Sequence, residues 1–485
     1  MEPSPTPPPQ AQEGSRERVG LDTREKALRL NLESPAYGSF AEIGAGQEVA
    51  RWFFRVGGAA GTVAKSISAY DMAVSDSLYG PTQRYVSRQR LEAMLEHEFA
   101  QVVESLGPTR GATTPFFAFA DTVATRRRGH GEPGRGWVGI RFQTRPLEHP
   151  SQIIVHVHLL DRTPIAEQQT LGVLGVNLTY GAFYHREDLH ALLGALMDGL
   201  GREHIEIDMV KVSGPAFAGI DNRLVSLQLV EQRLTDAAMF TAAGDVVQPS
   251  EVLYKKPILV ERGSFRPATR LTVDLLERAR ERFVEEPEVR GSHPVVIAEM
   301  TLRSLSGESG VGPEDFLARA EILHVLGIDV LISRFQPYYQ LTDYLAGYTD
   351  RMIGIAVGLP TIQDILDEQY YAVPEPQGGA LEAIGRLFKR AVKLYVYPTW
   401  DPVSGRIVTV DNADLPPPGN HLRDFLLGLG RVEPLAGYEP KYLSIHTPDV
   451  LARLQRGDPS WEEMVLPAVA ESIKQHHLLG YRQLS

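Results

Sequence analysis

Short runs of branched apolar residues alternate with amphipathic segments in the second half of the chain. Runs of this kind, closed by charged residues or glycine, predict strands that are buried on both faces. They recur at 205–210, 237–240, 258–260, 295–300, 330–333 and 353–357. Helical apolar spacing fills the intervals at 223–233, 271–283, 313–326 and 338–348. This alternation predicts a mainly parallel sheet covered by helices, either doubly wound or closed as a barrel.

The pattern before residue 204 is different. Three predicted strands at 116–123, 137–143 and 153–160 follow one another without a helical segment between them. Parallel neighbours would need longer crossovers, so these strands are expected to pair antiparallel. Helical spacing follows at 164–185 and 188–200. The fold class is therefore α/β, with an α+β region and a short antiparallel sheet preceding the βα region.

The length of 485 residues is too great for one hydrophobic core and predicts several domains. Residues 1–28 are rich in Pro, Gln, Glu and Arg and are predicted to be a disordered tail. An α+β domain is expected at 29–203 and a βα-repeating domain at 204–400. Residues 401–485 form a loop-rich and helical C-terminal segment in this division.

Composition narrows the function classes. The formal net charge of -12 argues against a nucleic-acid partner, and the basic run 126–128 is too short to change this. The chain has no cysteine, which excludes disulfides and thiolate metal sites. No signal pattern or membrane-length apolar run is present, so a cytoplasmic protein without a membrane partner is expected. The oligomeric state is left open.

Charged residues follow several predicted strands. In α/β sheets, ligands bind outside the carboxyl ends of the strands, so charge placed there points to a site. Neighbouring carboxylates can act as acid or base or hold magnesium, and arginine suits phosphate groups. We expect these residues to converge on one pocket, with a structural salt-bridge network as the alternative. The catalytic candidates are Asp121, Asp208, Glu261 and Glu299, and the substrate-binding candidates include Arg262 and Arg334.

Two glycine-rich stretches could bind an anion through backbone amides. Gly44 and Gly46 resemble the strand-to-helix turn of dinucleotide-binding folds, although the third glycine of that pattern is missing. The stretch 57–66 could cradle a phosphate with Lys65, although this lysine does not directly follow a glycine. Ordinary structural turns are the alternative at both places.

His156 and His158 lie two residues apart on a predicted strand, so both side chains point to one face. Two imidazoles at this spacing could share a metal ion, with the nearby Asp161 completing or orienting the set. The alternative is a hydrogen-bonded histidine pair on a solvated or inter-domain face.

Five segments resemble a bacterial protein family common in cyanobacteria: FAEIGAGQE (40–48), SISAYD (66–71), YVSR (85–88), FAFADTV (117–123) and VERGSFRP (260–267). Members of this family are often labelled nicotinate-nucleotide adenylyltransferase, and some are labelled TonB-dependent receptor. The first label implies nucleotidyl transfer, yet its HxGH-type and ISSTxxR-type motifs are absent from this chain. The second conflicts with the lack of a signal peptide and of serial barrel strands.

Two function classes follow. The first is an enzyme, such as a nucleotidyltransferase, that acts on a phosphorylated or nucleotide-like small molecule. Its cofactor is unknown, with magnesium as one candidate. The second is a non-catalytic scaffold or ligand sensor in which the same charges join two domains.

Overall fold

The computed structural model describes residues 21–126, 131–305, 312–371 and 378–482. Within them the strands are β1 Tyr37–Ile43, β2 Val63–Ile67, β3 Phe116–Ala124, β4 Gly134–Phe142, β5 Ser151–Leu159, β6 Ile205–Ser213, β7 Ala237–Phe240, β8 Val246–Val247, β9 Ile258–Arg262, β10 Val295–Thr301, β11 Asp329–Ser333, β12 Ile353–Gly358, β13 Val392–Tyr397, β14 Thr399–Asp401, β15 Arg406–Val408 and β16 Val432–Pro434.

The helices are α1 Thr23–Glu33, α2 Glu48–Val56, α3 Met72–Tyr79, α4 Arg88–Arg110, α5 Pro164–Tyr184, α6 Leu189–Leu196, α7 Asn222–Glu231, α8 Pro249–Leu253, α9 Arg270–Glu285, α10 Leu302–Leu305, α11 Pro313–Val325, α12 Tyr338–Leu345, α13 Leu359–Leu366, α14 Gly379–Leu387, α15 Gly419–Gly428, α16 Thr447–Arg456 and α17 Pro467–His476. No helix of the described ranges combines the length and apolar character needed to cross a bilayer.

The first sheet has six strands in the order β2-β1-β3-β4-β5-β6. Its first three strands are parallel to one another, whereas β3 to β6 are antiparallel neighbours. The predicted antiparallel pairing of the strands at 116–123, 137–143 and 153–160 is therefore confirmed. One expectation is wrong, because the strand predicted at 205–210 joins this sheet as β6. Its apolar run marks a buried strand but does not specify which sheet buries it.

The second sheet has eight strands in the order β16-β13-β12-β9-β10-β11-β7-β8. The six strands from β16 to β11 are parallel, and β7 and β8 add an antiparallel edge. Because the order has two open ends, the sheet is doubly wound rather than a barrel. The chain runs from β9 outward to β11 and then returns to place β12 on the other side of β9. This reversal is the topological switch point of a doubly wound sheet.

The division at residue 204 changes accordingly. Strand β6 extends the first sheet to Ser213, and β16 of the C-terminal segment extends the second sheet. The two halves also share a hydrophobic cluster. Trp137 and Met209 of the first sheet belong to the same buried cluster as Phe240 of β7 and Phe316 of α11. A continuous core of this kind fixes one sheet against the other.

The N-terminal boundary also differs from the predicted tail. Residues 1–20 lie outside the described residues, but 22–28 belong to a capped helix. The Asp22 carboxylate accepts a hydrogen bond from the Glu25 amide, and the Glu25 carboxylate accepts one from the Asp22 amide. This reciprocal capping box starts α1, which packs against α5. The charged residues of this segment led to the prediction of a disordered tail. Lys26 nevertheless lies buried in the folded protein.

We expect Lys26→Met to lower the free energy of unfolding by about 2 kcal/mol. The Lys26 ammonium lies 2.8 Å from Asn177 Oδ1 and 2.5 Å from Asp198 Oδ2, and its loss leaves the buried amide oxygen without this donor. Urea unfolding followed by circular dichroism measures the change. The control is Arg24→Met, an exposed position of the same helix. Equal stability of the two variants would show that α1 is peripheral to the fold.

Candidate functional site

A bulge in β6 brings three titratable side chains together in the first sheet, His156, His158 and Asp208. The pairing of β5 with β6 passes from His156–Met209 to Val157–Ile207, which leaves Asp208 as an extra residue. Such a bulge redirects a side chain and is common beside functional sites. Asp208 is buried, with Oδ1 at 2.6 Å from His156 Nδ1 and Oδ2 at 3.1 Å from His158 Nε2. One carboxylate therefore binds both imidazoles.

A side chain from the second half of the chain also forms a hydrogen bond to the Asp208 carboxylate. Gln248, at the start of α8, donates from Nε2 to Asp208 Oδ2 at 3.1 Å. The other end of this amide is also occupied, because Gln248 Oε1 accepts from the Ser250 backbone amide at 2.8 Å. Both ends of the Gln248 side chain are thereby oriented. Asp208 consequently ties the first sheet to α8.

The charges of this group depend on one another. Burial would raise the pKa of Asp208, but the charge and hydrogen bond of His156, together with those of His158, bring it below its ordinary value. For His158, burial works to lower the pKa, and the hydrogen bond and charge of Asp208 raise it above its ordinary value overall. The carboxylate is thus held ionised in spite of its burial. We call His156, His158 and Asp208 the His–Asp–His cluster.

Strand β4 adds two side chains on the same face. Arg135 pairs in register with His158, and Trp137 pairs with His156. The Trp137 ring centroid lies 4.7 Å from that of the His156 imidazole. Arg135 is exposed, and its guanidinium has no ion-pair partner in the described part of the chain. An aromatic ring and a free cation therefore border the His–Asp–His cluster.

A cavity of about 180 Å³ opens beside the cluster, where the two halves meet. The first half contributes one wall and the region around α8 and the end of α12 contributes the other. The lining residues are Arg84, Val86, Ser87, Arg135, Trp137, His156, His158, Gln248, Ser250, Glu251, Tyr254, Gly347 and Tyr348. Ligand sites occur preferentially at such junctions between domains. We refer to this space as the bulge cavity.

The expected convergence of the strand-end charges on one pocket is wrong. Glu261 and Arg262 are consecutive residues of the extended strand β9, so their side chains lie on opposite faces of the second sheet. Asp208 belongs to the first sheet, as does Asp121. Apolar runs located the strand ends correctly, but they did not reveal which sheet or which face each charge occupies.

Arg262 and Glu299 form a structural ion pair. Arg262 Nε and Nη2 donate to the two Glu299 carboxylate oxygens at 2.7 and 3.0 Å, and Ser333 Oγ donates to Glu299 Oε1 at 2.6 Å. The guanidinium also lies over the Tyr338 ring, 4.2 Å from its centroid. Every oxygen of this buried carboxylate has a donor. The arrangement matches the alternative interpretation of these charges as a salt-bridge network.

Glu261 is different because it is buried without such a partner. Its Oε2 has no hydrogen bond within the described ranges, and burial raises the pKa of its carboxyl well above the ordinary value. It lies near the carboxyl end of β9, beside the switch point. Arg334 is elsewhere, with Nη1 at 3.3 Å from Asp236 Oδ1.

The glycine turn after β1 exists, but a side chain of the same protein occupies two of the first amides of its helix. Glu42, near the end of β1, accepts hydrogen bonds from the amides of Val49 and Ala50 at 3.0 and 2.9 Å. The first turn of α2 is thus filled by a side chain of the same protein. Gly44 is required for another reason: its φ is 100°, and an added Cβ would lie 1.8 Å from the Val123 carbonyl oxygen. Gly46 also has a positive φ, of 80°.

Lys65 does not lie in a phosphate-binding loop. Residues 63–67 form strand β2, and the ammonium lies 2.6 Å from Glu98 Oε2 and 2.8 Å from Gln101 Oε1. Asp121 is fully buried in β3 and pairs in register with Glu42 of β1. Burial, followed by the charge of Glu42, raises the pKa of Asp121 well above its ordinary value. These residues stabilise the first sheet and do not reach the bulge cavity.

Four residues that line the bulge cavity were not predicted from the sequence: Arg84, Arg135, Trp137 and Gln248. Arg135 and Trp137 could have been predicted, because antiparallel pairing of β4 with β5 places them beside the histidines. The other two come from loops, whose position depends on the packing of the two halves.

No protein-family model matches the chain. No curated protein matches it either. Among solved structures, the crystal structure of the competence/damage inducible protein CihA from Agrobacterium tumefaciens is similar over 34% of this chain and 96% of its own, with 17% identity and a TM-score of 0.23. A superposition this loose carries no argument about fold or function.

We expect Glu299→Gln to lower the free energy of unfolding by about 3 kcal/mol, because it leaves the Arg262 guanidinium, whose side chain is only 12% exposed, without its anion. Glu261→Gln should change it by less than about 1 kcal/mol, because the amide resembles the protonated carboxyl that burial favours there. The two positions lie on adjacent strands, so each variant controls for the other. Chemical denaturation at neutral pH measures both. A larger loss for Glu261→Gln would contradict this assignment.

A pH dependence follows from Glu42, whose pKa burial raises to about 7. Between its ordinary pKa of 4.5 and 7, the folded protein retains a proton that the unfolded chain releases. Stability from this group is therefore complete below the lower value and decreases as pH rises through 7. The shift corresponds to about 3 kcal/mol.

Glu42→Gln should make the decrease in stability between pH 5 and 8 shallower. Urea unfolding across this range measures the effect, with the exposed Glu104→Gln as the control. If wild type and Glu42→Gln have parallel pH profiles, the carboxyl is ionised in the folded protein throughout.

Proposed function

We propose that the protein is an enzyme that acts on a small anionic molecule, phosphorylated or nucleotide-like, bound in the bulge cavity. One observation carries the proposal: the exposed guanidinium groups of Arg84 and Arg135 line the bulge cavity and have no ion-pair partner among the described residues. What sets these two arginines apart from other exposed arginines is that both line the same cavity beside the histidines. Their planar, multidentate donors suit a phosphate or carboxylate group.

His156 and His158 also line the bulge cavity and supply groups that can take part in catalysis. Asp208 engages one nitrogen of each imidazole, Nδ1 of His156 and Nε2 of His158. The second nitrogen of each ring has no hydrogen-bond partner in the described ranges. A free imidazole nitrogen can transfer protons, and a carboxylate bound to the other nitrogen fixes the orientation of the ring. An anion held by the arginines would lie beside them.

The ligand class follows from size and surroundings. A cavity of about 180 Å³ accommodates a phosphate group or one small ring, and the exposed Tyr254 ring at its rim can stack on a part that extends outward. Nucleotides and sugar phosphates combine these features. The resemblance to a family labelled nicotinate-nucleotide adenylyltransferase makes nucleotidyl transfer the first reaction to assay. Its absent motifs mean that any transfer here would use other residues.

A ligand sensor without catalysis is the second candidate. The paired Arg262, Glu299 and Ser333 favour it, because the strand-end charges of the second sheet then serve structure alone. The bulge cavity would bind the same anion, and the two halves that enclose it would report occupancy. Turnover of a bound nucleotide distinguishes the two functions, since a sensor releases its ligand unchanged.

The test uses isothermal titration calorimetry and thermal shift with inorganic phosphate, AMP and ATP as probes. We expect at least one probe to bind wild type, and Arg135→Gln to weaken it about 10-fold or more, as for a lost charged hydrogen bond. The control is Arg145→Gln, another exposed arginine, in the loop after β4, which does not line the bulge cavity. Equal affinity of both variants, or no binding by any probe, would overturn the proposal.

A further inference from the structure

We propose that the His–Asp–His cluster is a binding site for a divalent transition-metal ion of the zinc class. His156, His158 and Asp208 would be its protein ligands, and the bulge cavity would supply the open coordination position. The role of the ion in handling an anionic substrate rests on the proposed function above. Metal binding itself does not, and the experiment below separates the two.

The donor atoms are close enough to share one ion. One nitrogen from each imidazole and one Asp208 oxygen all lie within 4.8 Å of one another. Zinc–ligand bonds of about 2.0 Å at tetrahedral angles place ligand atoms roughly 3.3 Å apart. The His–Asp separations of 2.6 and 3.1 Å, each to a different oxygen of the Asp208 carboxylate, are within 1 Å of that value. Small side-chain rotations would therefore suffice, without movement of either strand.

The donor types indicate which metal. Two imidazoles and one carboxylate with an open fourth position are typical of catalytic zinc sites. Magnesium and calcium prefer oxygen ligands, so a set with two nitrogens selects against them. The absence of cysteine from the chain leaves imidazole and carboxylate as its strong zinc ligands. Zinc, or cobalt as its spectroscopic substitute, is the expected ion.

The surroundings support the ligands from behind. The Gln248 amide donates to Asp208 Oδ2, and such an outer hydrogen bond orients a ligating carboxylate. The bulge in β6 fixes the position of Asp208 in the backbone, and β5 places both histidines on one face. His156 and Asp208 are buried, while His158 is partly exposed at the cavity wall. Water or a substrate oxygen can reach the open position from the bulge cavity.

The competing interpretation is a hydrogen-bonded cluster that needs no ion. Asp208 already has donors from His156, His158 and Gln248, so its charge is satisfied within the protein. Nearby charges do not decide between the two, because Arg135 lies beside His158 while Glu251 also lines the bulge cavity. Only a measurement of stoichiometric metal separates these interpretations.

The chain offers a matched control for that measurement. His204 Nδ1 lies 2.7 Å from Asp161 Oδ1, which forms a second imidazole–carboxylate pair beside the same two strands. This pair has a single imidazole at its carboxylate and does not line the bulge cavity. His204→Asn and His158→Asn thus remove equivalent groups in different surroundings. Asp161, expected from sequence to accompany His156 and His158, pairs with His204 instead.

The experiment uses the full, untagged chain, stripped with a chelator and dialysed. Titration with zinc chloride should give one equivalent bound per chain and a higher melting temperature. Cobalt(II) should produce the visible absorption of a four-coordinate site. His158→Asn should weaken zinc binding at least 10-fold, whereas His204→Asn should bind like wild type.

Two results would overturn the metal proposal: wild type that binds no equivalent of zinc or cobalt, or His158→Asn that binds zinc like wild type. If His158→Asn fails to fold, the cobalt spectrum of wild type decides alone. Phosphate titration of Arg135→Gln is carried out in parallel. If wild type binds one zinc ion but no anion, the proposed function is rejected and the metal site is supported.

Discussion

A buried carboxylate must find donors inside the protein, and Asp208 imposes this requirement where the two halves meet. Three side chains satisfy it, two from β5 and one from the N-cap residue that precedes α8. The bulge in β6, the shared face of the histidines and the position of α8 together bring these three donors to the carboxylate. The walls of the bulge cavity consist of the same residues and their neighbours. Its shape therefore depends on one hydrogen-bonded anion.

The second sheet uses its charges differently. At the carboxyl end of a doubly wound sheet one expects ligand-binding groups, yet Arg262 and Glu299 satisfy each other there. Arg262 also donates to the Gln336 carbonyl oxygen at 2.7 Å, which fastens the segment leading into α12. The strand-end charges thus hold loops in place. Arg84 and Arg135, which have no ion-pair partner among the described residues, line the bulge cavity at the junction of the two sheets instead.

The sequence predicted much of the fold because strand and helix periods are local properties. Antiparallel β3 to β5, the helices that follow, and the common face of His156 and His158 all came from such periods. The placement of β6 could not, since an apolar run is equally buried in either sheet. The bulge at Asp208 was also out of reach, because it is a property of pairing between strands distant in sequence. Glu261 and Arg262 show the same limit for charges, whose partners depend on the tertiary fold.

The position of Glu42 decides whether the glycine turn after β1 can bind an anion. Its carboxylate binds the first amides of α2 as a tethered, intramolecular ligand, so a free phosphate would compete against a very high effective concentration. The strand, glycine turn and helix of an anion-binding site are all present, but the Glu42 side chain occupies the site. In this chain, the acidic residue two positions before the first glycine therefore occupies the place that an anion would take. Conversely, replacing that one residue by a small neutral one is the shortest route by which this scaffold could acquire a new anion site.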